Sequence, residues 1–138
     1  MTLNTYVHFN GNCEEALNFY AKALDGKIAF MLRYSESPMA QECSKELGPK
    51  IMHGQLVAGS GSLMASDCPP QFYQPAAGFS ISVNIDTVAE AEKYFAALSE
   101  GAKEIRMPLG ETFWAERFGM FVDKFGIAWM INCEKKRA

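Results

Sequence analysis

His53 and Gln55 are the side chains whose types and spacing most directly suggest chemistry in this sequence. They alternate within IMHGQL, a segment with the pattern of a strand, so both would project from the same sheet face. Together they could contribute to a weak metal site, and His53 alone could be a hydrogen-bond donor or general base in a pocket. The alternative, which we favour, is a polar, solvent-facing sheet edge or a dimer contact.

A second set of candidate residues lies in the segment ETFWAERFG, which begins at Glu111. Trp114 could form the stacking wall of a pocket, with Glu111, Glu116 and Arg117 as polar anchors. An arginine can hold a carboxylate or a phosphonate through two parallel hydrogen bonds. The alternative is that Trp114 and Phe118 belong to the core and that the charged residues lie on the surface.

Several other kinds of chemistry lack their sequence signatures. Ser66 is not in a nucleophile elbow, and none of the four cysteines has an evident base beside it. The segment GSGS, which begins at Gly59, lacks the lysine of a phosphate loop and predicts a hairpin turn. A net charge of −3 gives no indication of nucleic-acid binding. The charges of the segment 135–137, which ends at Arg137, predict a solvated tail.

The sequence also bears on where the protein resides. Residues 1–9 do not combine a basic start with an apolar run, and no apolar run approaches the roughly 20 residues of a membrane span. The four cysteines show no CxxC spacing, which favours reduced thiols over a disulfide framework. We therefore expect a cytoplasmic protein that does not enter a membrane.

An internal repeat at an offset of 75 residues organises the chain. NCEEALNFYAKALDG, from Asn12, aligns with TVAEAEKYFAALSEG, from Thr87. Each copy has a residue suited to capping a helix, followed three positions later by Glu15 or Glu90, which is the pattern of a capping box. Each copy ends in glycine, which favours the end of a helix. The repeat therefore predicts two similar amphipathic helices.

Segments with strand patterns surround each predicted helix, so each half of the chain is predicted to be a β-α-β-β-β module. Module one spans about residues 3–67, a proline-containing linker spans 68–78, and module two spans 79–133, within a single domain of 1–138. The turn DKFG, from Asp123, is predicted to join the last two strands. Residues 35–50 interrupt module one, and we expect them to form a mobile flap.

A tandem pair of such modules resembles the vicinal oxygen chelate superfamily, which includes glyoxalase I, bleomycin resistance proteins and extradiol dioxygenases. The strings FNGNCEEALNFYAKAL, ETFWAERFG and DKFGIAWMIN are similar to recurring segments of its PhnB-like branch. The resemblance implies an α+β fold in which the two modules form a cup-shaped mixed sheet, and it implies a homodimer. Some relatives are described as demethylubiquinone methyltransferases, but this sequence has no glycine-rich strand-to-helix turn for a nucleotide-like cofactor.

The resemblance also implies where metal ligands would lie. Metalloenzymes of the superfamily place one ligand on the first strand of each module, seven residues before the helix cap, which gives Thr5 and Ser80 here. The last strands contribute the other two, at Met64 and Met130. Two hydroxyls and two thioethers are a poor set for zinc, nickel or iron, so we expect no intact metal site. By alternation, His8 is expected on the opposite face, under the helix or at an edge, unless a bulge turns it inward.

We therefore expect an apolar cup that binds a small organic molecule without a cofactor. Methionine side chains would make its floor deformable. The alternative is a metal-dependent lyase, isomerase or dioxygenase in which His8, or His53 with Gln55, is recruited into a rearranged divalent-metal site. A third hypothesis is a structural or regulatory dimer with no ligand. The predicted ligand-binding residues are Thr5, Val7, His53, Gln55, Met64, Ser80, Trp114, Arg117 and Met130.

Overall fold

A computed structural model describes residues 1–136 of the chain. Arg137, which belongs to the predicted solvated tail, lies outside the described residues. The chain divides into two compact units between Pro75 and Ala76, within the segment predicted to be the linker. We call residues 1–75 unit one and the remainder unit two. No helix of the described part of the chain is long and apolar enough to span a membrane.

Unit one is a βαβββ module, as the sequence predicts. Its elements are β1 (Thr5–Phe9), α1 (Cys13–Ala23), β2 (Lys27–Arg33), β3 (Ile51–Ala58) and β4 (Gly61–Asp67). The four strands form one mixed sheet in the order β1-β4-β3-β2, in which β1 is parallel to β4 and the other pairs are antiparallel. The predicted hairpin turn at Gly59 joins β3 to β4, and its φ of 55° suits glycine.

Unit two repeats this topology. Its elements are β5 (Ile81–Asn84), α2 (Val88–Leu98), β6 (Glu104–Gly110), β7 (Ala115–Val122) and β8 (Ala128–Glu134). The sheet order is β5-β8-β7-β6, with β5 parallel to β8. The predicted turn at Asp123 joins β7 to β8, where the Asp123 carboxylate accepts hydrogen bonds from the Phe125 and Ile127 amides and from Trp129 Nε1. The fold class predicted from the sequence is therefore confirmed.

Each sheet has one face that packs against the helix of its own unit. In unit one this face carries Val7 and Leu56, which are 2% and 1% exposed, and it meets the fully buried Leu17 of α1. In unit two it carries Trp129 and Ile131, which are also buried. We call the opposite face of each sheet its open face, because alternation sends the remaining strand residues there.

A glycine in each sheet lets the helix lie close to the strand beneath it. A Cβ on Gly54 of β3 would lie 2.9 Å from Leu17 Cδ1, and one on Gly119 of β7 would lie 2.6 Å from Cε2 of Phe95. Both glycines are buried and face their helix. The two positions correspond, because Gly54 pairs with Ala65 and Gly119 pairs with Ile131 on the neighbouring strand.

The two helices begin differently, which corrects one prediction. Thr87 caps α2 as predicted, since its hydroxyl oxygen accepts the Glu90 amide at 3.2 Å and its hydroxyl donates to the Glu90 carboxylate. The capping box predicted at Asn12 and Glu15 is wrong, because the Asn12 side chain makes no capping hydrogen bond. The buried carboxylate of Asp67 takes that role from the end of β4.

Asp67 connects three segments of unit one. Its Oδ1 accepts hydrogen bonds from the amides of Gly11 and Cys13, both at 2.9 Å, and its Oδ2 accepts one from the amide of Ile51 at 2.8 Å. Asp67 is 1% exposed. A carboxylate at a helix N-terminus is favoured both by the free amides and by the helix dipole, so Asp67 replaces the local cap.

The segment 35–50, predicted to be a mobile flap, is a series of turns between β2 and β3. It is closed at its base by backbone hydrogen bonds from the Tyr34 amide to the Lys50 carbonyl and from the Ser35 amide to the Gly48 carbonyl. A cleft of about 530 Å³ in unit one lies between part of this segment, the start of α1 and Cys68.

Candidate functional site

Four rings form a cluster on the open face of unit one. The centroid of His53, on β3, lies 5.1 Å from that of Phe30 on β2 and 5.6 Å from that of Tyr6 on β1. The His8 centroid lies 5.1 Å from that of Tyr6. Phe30 and Tyr6 are 42% and 39% exposed within this chain. We call Tyr6, His8, Phe30 and His53 the aromatic cluster.

A hydrogen bond links two members of the cluster. The Tyr6 hydroxyl oxygen lies 3.0 Å from Nδ1 of His53, although β4 separates their strands in the sheet. The small side chain of Ser66, which pairs with His8 on β1, leaves room for the rings to meet above β4. Ser66 is only 6% exposed. The two rings are stacked, with planes that differ by 13°.

Gln55 and Met64 extend the same face beside the cluster. They pair directly across β3 and β4, and Met64 also pairs with Tyr6 across β4 and β1. Asn4 Nδ2 donates to the Met64 sulfur at 3.8 Å, and Ser62 Oγ donates to Asn4 Oδ1 at 2.7 Å. The structure therefore brings His53, Gln55 and Met64 together. The favoured alternative of a sheet edge is wrong, because β3 lies between β2 and β4.

Thr5 and Val7 do not lie on this face, which corrects the sequence prediction. They pair with Leu63 and Ala65, whose side chains are buried on the helix side of the sheet. The face predicted for His8 is wrong for the same reason, since His8 is exposed on the open face, although β1 is an edge strand as one alternative held.

The error comes from one extra residue before α1. In the sheets, Thr5 corresponds to Ile81, because Thr5 pairs with Leu63 and Ile81 pairs with Trp129 in matching positions. Seven positions separate Thr5 from the start of α1 at Asn12, whereas six separate Ile81 from Thr87. Gly11, with a φ of 97°, lies within the longer connection. Counting back from the helix therefore selected opposite strand faces in the two units.

The open face of unit two carries a different set of side chains. Met130 lies there as predicted, paired with Ser82 and Met120, while its neighbour Trp129 is 2% exposed on the helix side, also as predicted. Ser80 immediately precedes β5 and, by alternation with Ser82, belongs to the same side of the strand.

Asparagine amides lie at one end of this open face. Asn132 Nδ2 donates to Asn84 Oδ1 at 3.4 Å, and Ser82 Oγ donates to the same oxygen at 3.4 Å. The buried Oδ1 of Asn132 has no hydrogen-bond partner in the described part of the chain. This end of the face is therefore polar but carries no titratable group among the residues named.

Trp114 and Arg117, both predicted to line a pocket, occupy different surroundings. Trp114 is 40% exposed, and its ring makes edge contacts with Phe113 and Phe118 at centroid distances of 4.9 and 5.2 Å. Trp114 is therefore an accessible aromatic side chain. Phe118 is 6% exposed, which agrees with the alternative that it belongs to the core.

Arg117 instead faces the helix of unit two. Its Nε lies 3.6 Å from a carboxylate oxygen of Glu92 on α2. A register shift between Ala115 and Arg117 breaks the alternation of β7 at this point. The prediction that Arg117 is an anchor beside Trp114 is therefore wrong. Of the other two acids, Glu111 lies 3.8 Å from Lys135 Nζ.

The donor set of the described residues does not fit a metal site of the superfamily's kind. Met64 and Met130 stand where the resemblance implies ligands on the last strands, and a thioether is a soft ligand that suits zinc or iron(II) poorly. No group of three or more His, Cys, Asp or Glu side chains in residues 1–136 is arranged to hold an ion. The Nδ1 atom of His53 is already engaged by Tyr6.

Cys13 and Cys133 are buried, and their surroundings make both thiols unreactive. Burial, and then the nearby Asp67 and Glu14 carboxylates, raises the pKa of the Cys13 thiol. Burial and then Glu116 raise the pKa of the Cys133 thiol. Because the thiolate is the reactive form of cysteine, neither residue is placed to act as a nucleophile.

Sequence reasoning missed Tyr6 and Phe30. Tyr6 could have been found from its alternation with His8 in TYVHF. Alternation places the two rings on the same face of the strand, even when that face has not been identified. No local signal could have found Phe30. A register shift between Ile28 and Phe30 determines which side chain of β2 reaches His53.

Comparisons with known proteins agree with this architecture. The sequence model of a family described as 3-demethylubiquinone-9 3-methyltransferase matches residues 2–132. Protein YjdN of Escherichia coli K12 is 32% identical, over 99% of this chain and 98% of its own length. The structure of protein PA1353 from Pseudomonas aeruginosa is 48% identical with a TM-score of 0.89, over 99% of each chain.

Two further structures connect the chain to the wider fold. A putative 3-demethylubiquinone-9 3-methyltransferase, PhnB protein, from Bacillus cereus is 28% identical with a TM-score of 0.76, over 96% of this chain and 99% of its own. A glyoxylase/bleomycin resistance protein/dioxygenase domain from Frankia is 13% identical with a TM-score of 0.68, over 100% and 95%, which shows a shared fold alone. The chain therefore belongs to the PhnB-like family, whose sequence model is described as 3-demethylubiquinone-9 3-methyltransferase.

Proposed function

We propose that this protein binds a small organic molecule with a planar ring on the open face of unit one, without a metal ion. The observation that carries the proposal is the aromatic cluster, in which rings from three strands form a row with centroids 5.1 to 5.6 Å from one ring to the next. Aromatic pairs contribute about 0.5–1.5 kcal/mol beyond their buried area. A flat ligand would extend this set of contacts.

Polar groups beside the rings would orient such a ligand. His53 Nε2 has no hydrogen-bond partner in residues 1–136, and the Gln55 amide lies on the same face next to Met64. Small-molecule sites typically combine an apolar lining with a few placed polar groups. Met64 supplies an adaptable apolar surface between the two.

Ligand affinity of matched variants tests this proposal. Phenylacetone and its cyclohexyl analogue are titrated against the wild type, Phe30→Ala, Tyr6→Ala and the control Phe113→Ala, with binding followed by NMR. We expect the phenyl compound to bind more tightly than its analogue, and Phe30→Ala or Tyr6→Ala to weaken it about tenfold. Phe113 is 89% exposed on unit two, so its loss should leave binding unchanged. Equal affinities in all four proteins would contradict the proposal.

A metal-dependent lyase, isomerase or dioxygenase is the second candidate, favoured by one observation. His8 and His53 lie on the same open face, and both rings contact Tyr6. Elemental analysis of protein purified without chelator decides between the two. We expect less than stoichiometric metal. Stoichiometric metal that is lost in His8→Ala or His53→Ala would replace the metal-free proposal.

We also propose that the protein is a cytoplasmic homodimer. Exposed apolar side chains of unit two, including Phe113 and Ile105, would be covered in a dimer. All four cysteines are free, which suits a reducing compartment. Light scattering on the purified protein should give twice the chain mass, and a single-chain mass would contradict the dimer.

A further inference from the structure

We propose that Tyr6 and His53 form a proton relay, so that the site on unit one removes a proton from a carbon next to a carbonyl group of its ligand. This inference rests on the proposed function, because the ligand must first bind to the aromatic cluster. Tyr6 is the candidate catalytic residue, and His53 is the group that accepts the proton which Tyr6 releases.

The geometry of the pair supports the relay. The hydroxyl oxygen of Tyr6 and Nδ1 of His53 are 3.0 Å apart, within the range in which a general base acts on its partner. The two rings are stacked nearly parallel, with centroids 5.6 Å apart, so the pair forms one compact unit on the open face. Imidazole is the side chain best suited to proton exchange near neutral pH, and here it is the direct hydrogen-bond partner of the Tyr6 hydroxyl.

The position of the pair argues against a purely structural role. Tyr6 is 39% exposed on the open face, whereas the structural carboxylates Asp67 and Asp123 are 1% and 0% exposed. The polar groups that hold the fold together are thus buried, and this hydrogen bond is accessible to a ligand. The titratable groups near the pair include His8, whose ring contacts that of Tyr6, and Tyr34, which interacts electrostatically with Tyr6.

Unit two supplies an internal comparison. Ser82 stands where Tyr6 does, because each pairs with the central methionine of its sheet, Met130 or Met64. Phe118 corresponds to His53. On β3, His53 comes two residues before Gln55, the partner of Met64, and on β7, Phe118 comes two residues before Met120, the partner of Met130. The same topology thus carries a phenol and an imidazole in one unit and neither in the other, so the fold itself does not require the pair.

The proposed step conserves atoms and electrons. The Tyr6 oxygen takes a proton from the ligand carbon while the original hydroxyl proton passes to His53 Nδ1. The electron pair of the broken C–H bond moves into the carbonyl group and gives an enolate, whose negative charge is balanced by the imidazolium of His53. Return of a proton to carbon or to oxygen regenerates the pair. The net reaction is isomerisation or proton exchange, and it needs no oxidant, metal or co-reactant.

Deuterium exchange into phenylacetone tests the relay. The probe has an aromatic ring and acidic C–H bonds next to a neutral carbonyl, and loss of its benzylic signal in D₂O is followed by proton NMR. We expect exchange with the wild type to exceed that in buffer, and to fall at least about 100-fold in Tyr6→Phe. His53→Phe, which installs the residue found at the corresponding position of unit two, should lower the rate similarly. Tyr94→Phe, a substitution of the same kind on α2 of unit two, is the matched control.

Binding measured on the same samples separates the two proposals. Tyr6→Phe and His53→Phe each keep a ring at the substituted position, so both variants should still bind phenylacetone. Binding without faster exchange in the wild type, or equal exchange in the wild type and Tyr6→Phe, would overturn the relay and leave the binding proposal intact. Absence of binding in the wild type would overturn both.

Discussion

The two units share a backbone topology but differ in the side chains of their open faces. Each places a methionine at the centre, Met64 or Met130, and each places a glycine beneath its helix. Around the methionine, unit one has a phenol and imidazoles, whereas unit two has amides, thioethers and a tryptophan wall. The difference indicates that the repeat specifies packing, while the chemistry depends on a few open-face positions that packing leaves free.

The helix starts offer the largest test of this comparison. In Asp67→Ala the amides of Gly11, Cys13 and Ile51 lose their acceptor in a buried place, and each unsatisfied amide costs about 1–3 kcal/mol. We expect the free energy of unfolding to fall by at least about 3 kcal/mol, measured by urea denaturation. Thr87→Ala, at the exposed cap of α2, should cost about 1 kcal/mol.

A matched control for this test is Asn12→Ala, at the position of the predicted but absent cap. Because the Asn12 side chain makes no capping bond, we expect little change in the urea midpoint. Equal losses in Asp67→Ala and Thr87→Ala would mean that the distant carboxylate adds nothing beyond a local cap.

The glycines beneath the helices should give the second largest difference. Alanine at position 119 would place its Cβ 2.6 Å from the ring of Phe95 and 3.2 Å from the Leu109 backbone, so the helix must shift. At position 54 the close atom is the end of the flexible Leu17 side chain, at 2.9 Å. We expect thermal unfolding to report a loss of about 1–3 kcal/mol for Gly119→Ala and a smaller loss for Gly54→Ala. A larger loss of stability in Gly54→Ala than in Gly119→Ala would show that the flexibility of the contacting side chain does not determine the loss.

The helix-to-sheet ion pairs should give the smallest effect. In unit one, Arg33 Nη2 lies 2.7 Å from Glu14, and its Nη1 bonds the other carboxylate oxygen at 3.1 Å. In unit two, Arg117 lies 3.6 Å from Glu92 through a single contact. Both pairs are largely exposed, so Glu14→Gln should lower the melting temperature slightly, and less in high salt. Glu92→Gln should lower it less.

The pH dependence of the first pair has a defined sign. The hydrogen bond from Arg33 lowers the pKa of the Glu14 carboxyl below its usual range. Its contribution to stability is therefore fully present above the ordinary carboxyl pKa, and it is lost as the pH falls through the lowered value. The difference in melting temperature between wild type and Glu14→Gln should be constant near neutral pH and vanish in acid. A difference that grows in acid would contradict this assignment.

The fold could be predicted from the sequence because its signals are local. Alternation identified the strands, and the turn at Asp123 placed Met130 and Trp129 on the correct faces. The cap of α2 was predicted because Thr87 and Glu90 lie three residues apart. The cap of α1 was not, because Asp67 is 54 residues from Cys13 in the chain.

The site was predicted less well because it depends on strand parity. One additional residue before α1 reverses the faces assigned to Thr5 and His8, since alternate residues project to opposite sides. Arg117 pairs with Cys133 in the regular part of β7, so alternation with Gly119 places it on the helix side. One additional residue in a connection thus leaves the topology unchanged but determines which side chains meet.

The carboxylate of Asp67 also has a consequence for the order of folding. The start of α1 obtains its acceptor only when β4, more than 50 residues later, has docked, whereas α2 carries its acceptor within its own first turn. Contacts between distant residues must first overcome the entropy of closing a long loop. It follows that α2 can form early on its own, while α1 becomes stable late, with the sheet that surrounds it.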